Sequence, residues 1–357
     1  MNSTADVEDR IQRAKETLGP SLVILGHHYQ TDEVIQFADF RGDSLKLAFE
    51  ATKRRQAQTI VFCGVHFMAE TAAMLAQPDQ TVLIPDPEAG CFLAEMAALE
   101  EVKQAWSRLD AFIPTDADVT PVTYVNSSAA LKAFCGSREG IVCTSSNAQA
   151  VFSWALERRP RIFFFPDQHL GRNTANALGI PAEEVLLWDL DRDPDSEALD
   201  RARVILWPGW CNVHQRFLPE HVRAWREREP GIRVIVHPEC REEVVNLADE
   251  AGSTATIVRR LEESPPGTKW AIGTEFNLVN RLRQEHPDQF VVSLRLGASD
   301  PPSPEPSFCR TMNLITVHNL DRVLQALLNG DLINPVTVPA EVADDARVAL
   351  ERMLEVS

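Results

Sequence analysis

In "PGWCNVH", residues 208–214, a cysteine precedes a histidine by three positions. Thiolates and imidazoles together are metal ligands, usually clustered as Cys-x-x-Cys, yet that spacing occurs nowhere in the chain. Seven cysteines at irregular spacing in a long chain point to free thiols or metal ligands rather than a disulfide framework. Three of them share a setting: Cys91 in "EAGCFLAEM", Cys211 in "PGWCNVHQRF" and Cys309 in "PSFCRTMNLITVHNL" each follow a strand-like run and precede a helical pattern. Three thiolates could bind zinc with His214 as fourth ligand. They could instead hold a cubane iron–sulfur cluster, leaving one iron open as a Lewis acid. Cys63 and Cys143 fall in or at the end of apolar strands, Cys135 follows a helical segment, and Cys240 adjoins a polar triplet. These four read as core thiols.

Three apolar runs end in such triplets: His27-His28-Tyr29, Tyr124-Val125-Asn126 and His237-Pro238-Glu239. Both tyrosines of the chain fall in them. His27, Tyr29, Tyr124 and Asn126 are suited to hydrogen bonding and proton transfer at substrate oxygens. Glu239 is the best general base, since burial after an apolar strand raises a carboxyl pKa toward a useful value. His237, two residues away on an extended segment, shares its side and could bind substrate or tune that carboxylate. His214 shares a helix face with Cys211 if a helix starts there, and reads as substrate-facing or supporting rather than as a ligand. Ser44, Ser145, Ser253 and Thr254 sit at strand-to-helix turns, where they would cap a helix and could also receive an anion. His66 and Glu70 share a helix face and read as support.

The elements that carry these residues recur. Each triplet is followed by a small-residue turn opening a helix, then a strand and helix, then a further strand leading to a cysteine. The first triplets are 97 and 113 residues apart and the cysteines 120 and 98, the size of a small domain. Buried apolar strands alternating with helices imply parallel α/β units. The expected fold is three homologous α/β domains with parallel sheets around a pseudo-threefold axis, the active site and metal at the centre, where strand carboxyl ends meet. The segments would be 20–108 with Cys91, 109–216 with Cys211, 217–310 with Cys309, and C-terminal helices over 311–357 packing back on the body. The net charge of −17 argues against a nucleic-acid partner. No apolar run reaches a membrane span, and "MNSTADVEDR" lacks the features of a secretory signal, so a cytoplasmic location is expected.

The motifs "GHHYQ", "GDSLKLA", "CGVHFMAET", "YVNSSAALKA", "CTSSNA", "WPGWCNVH", "VHPEC", "AGSTATI" and "IGTE", in this order from about residue 20 to about residue 330, resemble the quinolinate synthases. The resemblance implies a 4Fe–4S cluster on Cys91, Cys211 and Cys309. It implies condensation of iminoaspartate with dihydroxyacetone phosphate to quinolinate, releasing phosphate and two waters, in NAD biosynthesis. By the same resemblance Ser44 and Ser145 hold the triose phosphate, and Ser253 and Thr254 contact a substrate carboxylate. A transient contact with the L-aspartate oxidase or dehydrogenase that supplies iminoaspartate is also implied. Phe92 stands where the family often has a small polar residue, and Cys309 lacks the neighbouring cysteines some members carry. Two other families share a three-domain, three-cysteine plan, the diphthamide-forming radical enzymes and hydroxymethylbutenyl diphosphate reductase; "VHPE" and "GDSLKLA" favour the synthase. A zinc-stapled interaction protein is the non-enzyme alternative.

Substituting serine for Cys91, Cys211 or Cys309 is expected to abolish cluster loading, while serine at Cys63, Cys135 or Cys143 leaves it intact. Iron and sulfide assays after anaerobic reconstitution read the outcome; a full complement in any of the first three removes that cysteine from the ligand set.

Overall fold

Strand β1, Leu22–His27, is buried at all six positions, and so is β5, Val119–Tyr124. Such continuous burial belongs to parallel strands covered on both faces. In the computed structural model, which describes residues 4–295 and 305–356, every strand pairing within the three sheets is parallel. The remaining strands are β2 (Phe40–Gly42), β3 (Thr59–Cys63), β4 (Thr81–Leu83), β6 (Ile141–Cys143), β7 (Arg161–Phe165), β8 (Val185–Leu187), β9 (Val204–Leu206), β10 (Arg233–Val236), β11 (Glu250–Ala251), β12 (Lys269–Gly273) and β13 (Phe290–Ser293). The sheet orders are β2-β1-β3-β4, β6-β5-β7-β9-β8 and β11-β10-β12-β13. With β8 set aside as an edge addition, the three orders are the same. The protein is thus α/β with three parallel sheets, as the internal repeat implies.

The sequence reading passes over β2, β11 and β8, and reaches β6 only as an apolar strand ending at Cys143. Each has only two or three residues, too few for apolar periodicity to register. The register places the triplets at the carboxyl ends. His27 pairs with Gly42, Tyr124 pairs with Cys143, and the His237 amide donates to the Gly273 carbonyl at 3.0 Å.

The chain forms two compact units. The first comprises Met1–Cys91 and Phe308–Ala340 and holds the β1–β4 sheet. Its helix Thr4–Leu18 packs on helix Val317–Leu328, joined by an Arg10–Asp321 ion pair of 2.6 Å. Val336 donates to the Val82 carbonyl at 2.8 Å, extending the edge beside β4.

The second unit, Phe92–Ser307 with Glu341–Ser357, contains the other two sheets. One sheet is cored by Phe163, Phe164, Phe165 and Trp207. The other is cored by Phe217, Trp225, Val234, Val236 and Leu294. Asn173, on helix Gln168–Ala177 of the first of these sheets, reaches the HPE turn of the second. Its amide donates to the carbonyls of Pro238 and Cys240, each at 2.8 Å. The terminal helix Ala340–Glu355 lies against helix Ala129–Gly136 so closely that a Cβ on Gly136 would meet the Asp345 carbonyl oxygen at 1.8 Å. Met353 and Arg352 of the same helix bond to Asn147 and to the Gly140 carbonyl.

The obstacle at Gly136 is backbone, which cannot rotate aside. Gly136→Ala is expected to destabilise the second unit by about 1–3 kcal/mol, the range for overpacking a close contact. A lower urea midpoint with unchanged steepness checks it; an unchanged midpoint places the terminal helix elsewhere.

Candidate functional site

In the second unit, the ends of β10 and β12 and the turn after Cys211 bring polar side chains together out of water. Glu239 and His237 end the extension of β10, Thr274 ends β12, and His214 opens a short 3-10 turn, His214–Arg216. No helix starts at Cys211, so the condition for Cys211 and His214 to share a helix face is not met. Gln215 nevertheless closes a turn onto the Cys211 carbonyl at 3.0 Å, and the ligand atoms of Cys211, His214 and Glu239 lie within 4.8 Å of one another.

His214, Glu239, His237 and Thr274 are all buried. His214 Nδ1 lies 2.6 Å from Glu239 Oε2 and its Nε2 lies 3.1 Å from Thr274 Oγ1. His237 stacks on His214 with ring centroids 4.3 Å apart. The Glu239 amide donates to His237 Nδ1 at 3.3 Å, so Nε2 carries the proton and donates to Ser145 Oγ at 3.2 Å. Tyr124 also bonds the Glu239 carboxylate. Both nitrogens of His214 are therefore engaged, and a Cys₃His zinc site would have to break one of these bonds.

The electrostatics correct the sequence reading of Glu239. Burial alone would push its carboxyl up, but the imidazoles of His237 and His214 and the bonds from His214 and Tyr124 outweigh it and hold the group well below the usual carboxylate range. Glu239 is therefore ionised. Burial, reinforced by His214, lowers His237 to about 3. The buried Asp167 goes the other way: burial and the nearby Glu239 push its carboxyl well up.

The capping expectations divide. Ser253 caps helix Thr254–Glu262, accepting from the Thr256 amide at 3.3 Å, and Thr254 is the first helical residue. Ser145 precedes helix Ala148–Leu156 by three positions and its hydroxyl faces His237 rather than the helix. A cavity of about 430 Å³ is lined by Ser145, Asn147, Asn173, Gly252 and Ser253, among others, between the starts of these two helices. Asn126 is half-buried, and its Oδ1 is shielded from water with no protein donor, as expected of a group kept for a ligand.

The first unit carries His27, Tyr29, Ser44, Cys91 and Cys309. His27 is buried; its Nδ1 accepts the Tyr29 amide at 3.1 Å, and the two rings meet edge to face at 4.6 Å. Ser44 is not a cap. Asp43 takes that place in helix Ser44–Lys53, accepting from Lys46 at 2.9 Å, which leaves the half-buried Ser44 as the first helical residue. Gln30 ties the exit of β1 to the Met312 carbonyl at 3.2 Å, three residues from Cys309. His66 and Glu70 stand 3.8 Å apart at the start of helix His66–Leu75.

The seven thiols sort by environment. Cys63, Cys135, Cys143 and Cys240 are buried, while Cys91, Cys211 and Cys309 are half-buried. Burial raises Cys63 to about 12 and pushes Cys135, Cys143 and Cys240 up as well. Thiolates are the metal-binding form, so three accessible thiols and four inert ones fit a three-thiolate cluster.

Sequence reasoning missed three side chains here: Thr274, Asp167 and Asn173. Thr274 and Asp167 follow the third strand of their sheets. In a parallel sheet those ends open on the same edge as the first-strand ends, so the rule that found the triplets applies to "IGTE" and "FFPDQ" as well. Asp167 caps helix Gln168–Ala177 through the Leu170 amide at 2.7 Å, and the Cys211 amide also bonds its carboxyl.

Within the second unit, a buried carboxylate–imidazole chain with a cysteine within 4.8 Å of it, at the carboxyl ends of parallel strands, is an arrangement of the kind enzymes use. The family profile described as "Quinolinate synthetase A protein" matches residues 9–355. Proteins named quinolinate synthase are 49% identical in Anoxybacillus flavithermus, covering 99% of this chain and 94% of that protein, and 50% identical in Geobacillus kaustophilus at the same coverage. A third, from Rhodopirellula baltica, is 50% identical over 98% of this chain and 91% of its own length. The chain belongs to the quinolinate synthase family of enzymes.

The low pKa of His237 has a consequence for stability. Between pH 6.5 and about 3 the unfolded chain binds a proton that the folded ring refuses, so stability falls with falling pH by up to about 1.4 kcal/mol per unit. The raised Asp167 acts with the opposite sign, and Glu239 and His214 face the same ring, so the comparison is between proteins. From pH 6.5 to 4.5, His237→Gln is expected to show a shallower loss of urea stability than wild type. Equal slopes would mean that the ring is charged when folded.

Proposed function

We propose that this protein condenses iminoaspartate with dihydroxyacetone phosphate to form quinolinate, releasing phosphate and two waters, in de novo NAD biosynthesis in the cytoplasm. The observation that carries the reading is the buried chain Ser145–His237 beside Thr274–His214–Glu239, with Cys211 within 4.8 Å of the last two. It belongs to a family of quinolinate synthases matched over nearly the full chain. Consistent with a freely diffusing small-molecule enzyme, no helix among the described residues is long and apolar enough to cross a membrane. Its source of iminoaspartate would be a separate oxidase or dehydrogenase acting on L-aspartate.

In this reading Cys91, Cys211 and Cys309 hold a 4Fe–4S cluster at the centre of three homologous domains, 20–108, 109–216 and 217–310, followed by helices over 311–357. When bound, the cluster supplies an open iron that polarises a substrate oxygen or nitrogen. The protein's own groups do the rest. Ionised Glu239 takes a carbon-bound proton, and His214 and Tyr124 hold its carboxylate in place. His237, kept neutral, donates through Nε2 and aligns Ser145. Ser145 with Ser44 receives the triose phosphate, and Ser253 with Thr254 receives a carboxylate, since helix starts favour anions. His27, Tyr29, Tyr124 and Asn126 bond substrate oxygens and pass protons during ring closure.

Anaerobically purified protein should be brown and turn over the two substrates to quinolinate; colourless, zinc-loaded protein without turnover would favour the zinc-stapled alternative. Glu239→Gln keeps shape but cannot act as a base. A loss of rate of about 10²–10⁴-fold with intact cluster content is expected. Near-normal turnover in a fully loaded Glu239→Gln protein would move the base to Tyr29 or Tyr124.

A further inference from the structure

We propose that Thr311 is a positioning residue for the Cys309 thiolate: its hydroxyl donates to Cys309 Sγ, fixes the direction of that sulfur and draws charge from a cluster held on it. The proposal rests on the reading of Cys309 as a cluster ligand.

Thr311 occupies the cap position of the 3-10 turn Met312–Leu314, yet its side chain makes no cap bond. The backbone explains this. A capping residue needs extended φ and ψ to bring its oxygen onto the amides that follow, and Thr311 is helical, at φ −75° and ψ −33°. Its hydroxyl turns back instead and stands 3.5 Å from Cys309 Sγ, two residues earlier. Serine and threonine hydroxyls favour such short-range partners, and sulfur, being larger than oxygen, bonds at longer distances. A thiolate has no proton to give, so once Cys309 serves as a ligand the hydroxyl must be the donor.

The turn is built to hold that direction. The Asn313 amide donates to the Cys309 carbonyl at 3.3 Å and the Leu314 amide to the Thr311 carbonyl at 3.2 Å. Fully buried Gln30 donates to the Met312 carbonyl at 3.2 Å and reaches the Met312 sulfur at 3.4 Å. Asn319 donates to the Leu314 carbonyl at 2.7 Å. Thr311 is itself stiff at χ1 because it is β-branched. Cys309 is half-buried, so a bond to its sulfur keeps more of its strength than it would in open water. Hydrogen bonds to cluster sulfurs favour the more negative, reduced state and raise the reduction potential. Outer partners of this kind also hold the metal. A threonine present only to shape the turn would leave the potential unmoved.

Thr311→Val removes the hydroxyl at nearly constant shape, and Thr311→Ser retains it. After anaerobic reconstitution to equal iron and sulfide content, the potential is read from the visible spectrum during a reductive titration. The potential of Thr311→Val is expected to be more negative than that of wild type, and that of Thr311→Ser close to it. An iron chelator, added without oxygen, should strip Thr311→Val roughly tenfold faster than wild type, in keeping with what loss of an outer partner does to metal affinity. An unshifted potential or an unchanged stripping rate in loaded Thr311→Val overturns the proposal, and so does a Thr311→Ser protein that behaves like Thr311→Val. Thr311→Ala replaces Thr311→Val if the latter fails to load. Loading lost in both but kept in Thr311→Ser supports the proposal; loading lost in all three overturns it. Wild type separates the proposal from the reading beneath it. Reconstituted wild type without iron and sulfide overturns the ligand reading and the proposal with it, whereas a loaded cluster whose potential ignores the hydroxyl overturns the proposal alone. A shifted potential supports it even if wild type makes no quinolinate, an outcome that would count against the reaction alone.

Discussion

A carboxylate buried beside an unrelated second acid is costly unless donors surround it. Glu239 meets that constraint with His214 at 2.6 Å and with Tyr124. Satisfying it dictates much of the second unit. His214 must leave the turn after Cys211 at the height of the β10 end, Tyr124 must end β5 with its hydroxyl toward the neighbouring sheet, and the HPE turn must be held rigid. Asn173 does the last by bonding the carbonyls on both sides of Glu239. The two sheets of this unit are thus joined by the polar groups that surround Glu239, as well as by apolar packing.

The neighbouring acid completes the arrangement. Asp167 shares the buried region with Glu239, and two adjacent carboxylates out of water do not both ionise readily. The structure resolves this by distributing donors unequally. Glu239 receives side-chain donors and keeps its charge; Asp167 receives backbone amides, including that of Cys211, leaves one carboxyl oxygen unpartnered, and is pushed toward its neutral form. One acid keeps its charge while the other caps helix Gln168–Ala177 and bonds the amide of Cys211.

The architecture is legible in the sequence because parallel strands are long apolar runs and their ends recur in three copies. The triplets, the three accessible cysteines and the parallel sheets all follow from that repetition. What escaped has physical causes. Edge strands of two or three residues leave no periodic signal. Asp43 and Ser44 are adjacent and both able to cap, and only the backbone geometry chooses Asp43. The sign of the Glu239 shift depends on His214, 25 residues away in sequence; burial can be inferred from a strand pattern, but the partners that reverse its effect cannot. Thr274 belongs to the same class, since a threonine after a strand is ordinary until the ring it touches is in place.

The division of the thiols reaches beyond ligand choice. Cys63, Cys135, Cys143 and Cys240 are sealed in the core with their pKa values raised, so they are poor targets for oxidants, alkylating agents and stray metal ions. Damage chemistry is thereby steered to Cys91, Cys211 and Cys309, the same sulfurs proposed to take up iron. On the proposed ligand set, a protein stripped of its metal carries its injuries at three accessible positions, and regaining the cluster requires their repair rather than the unfolding of a core.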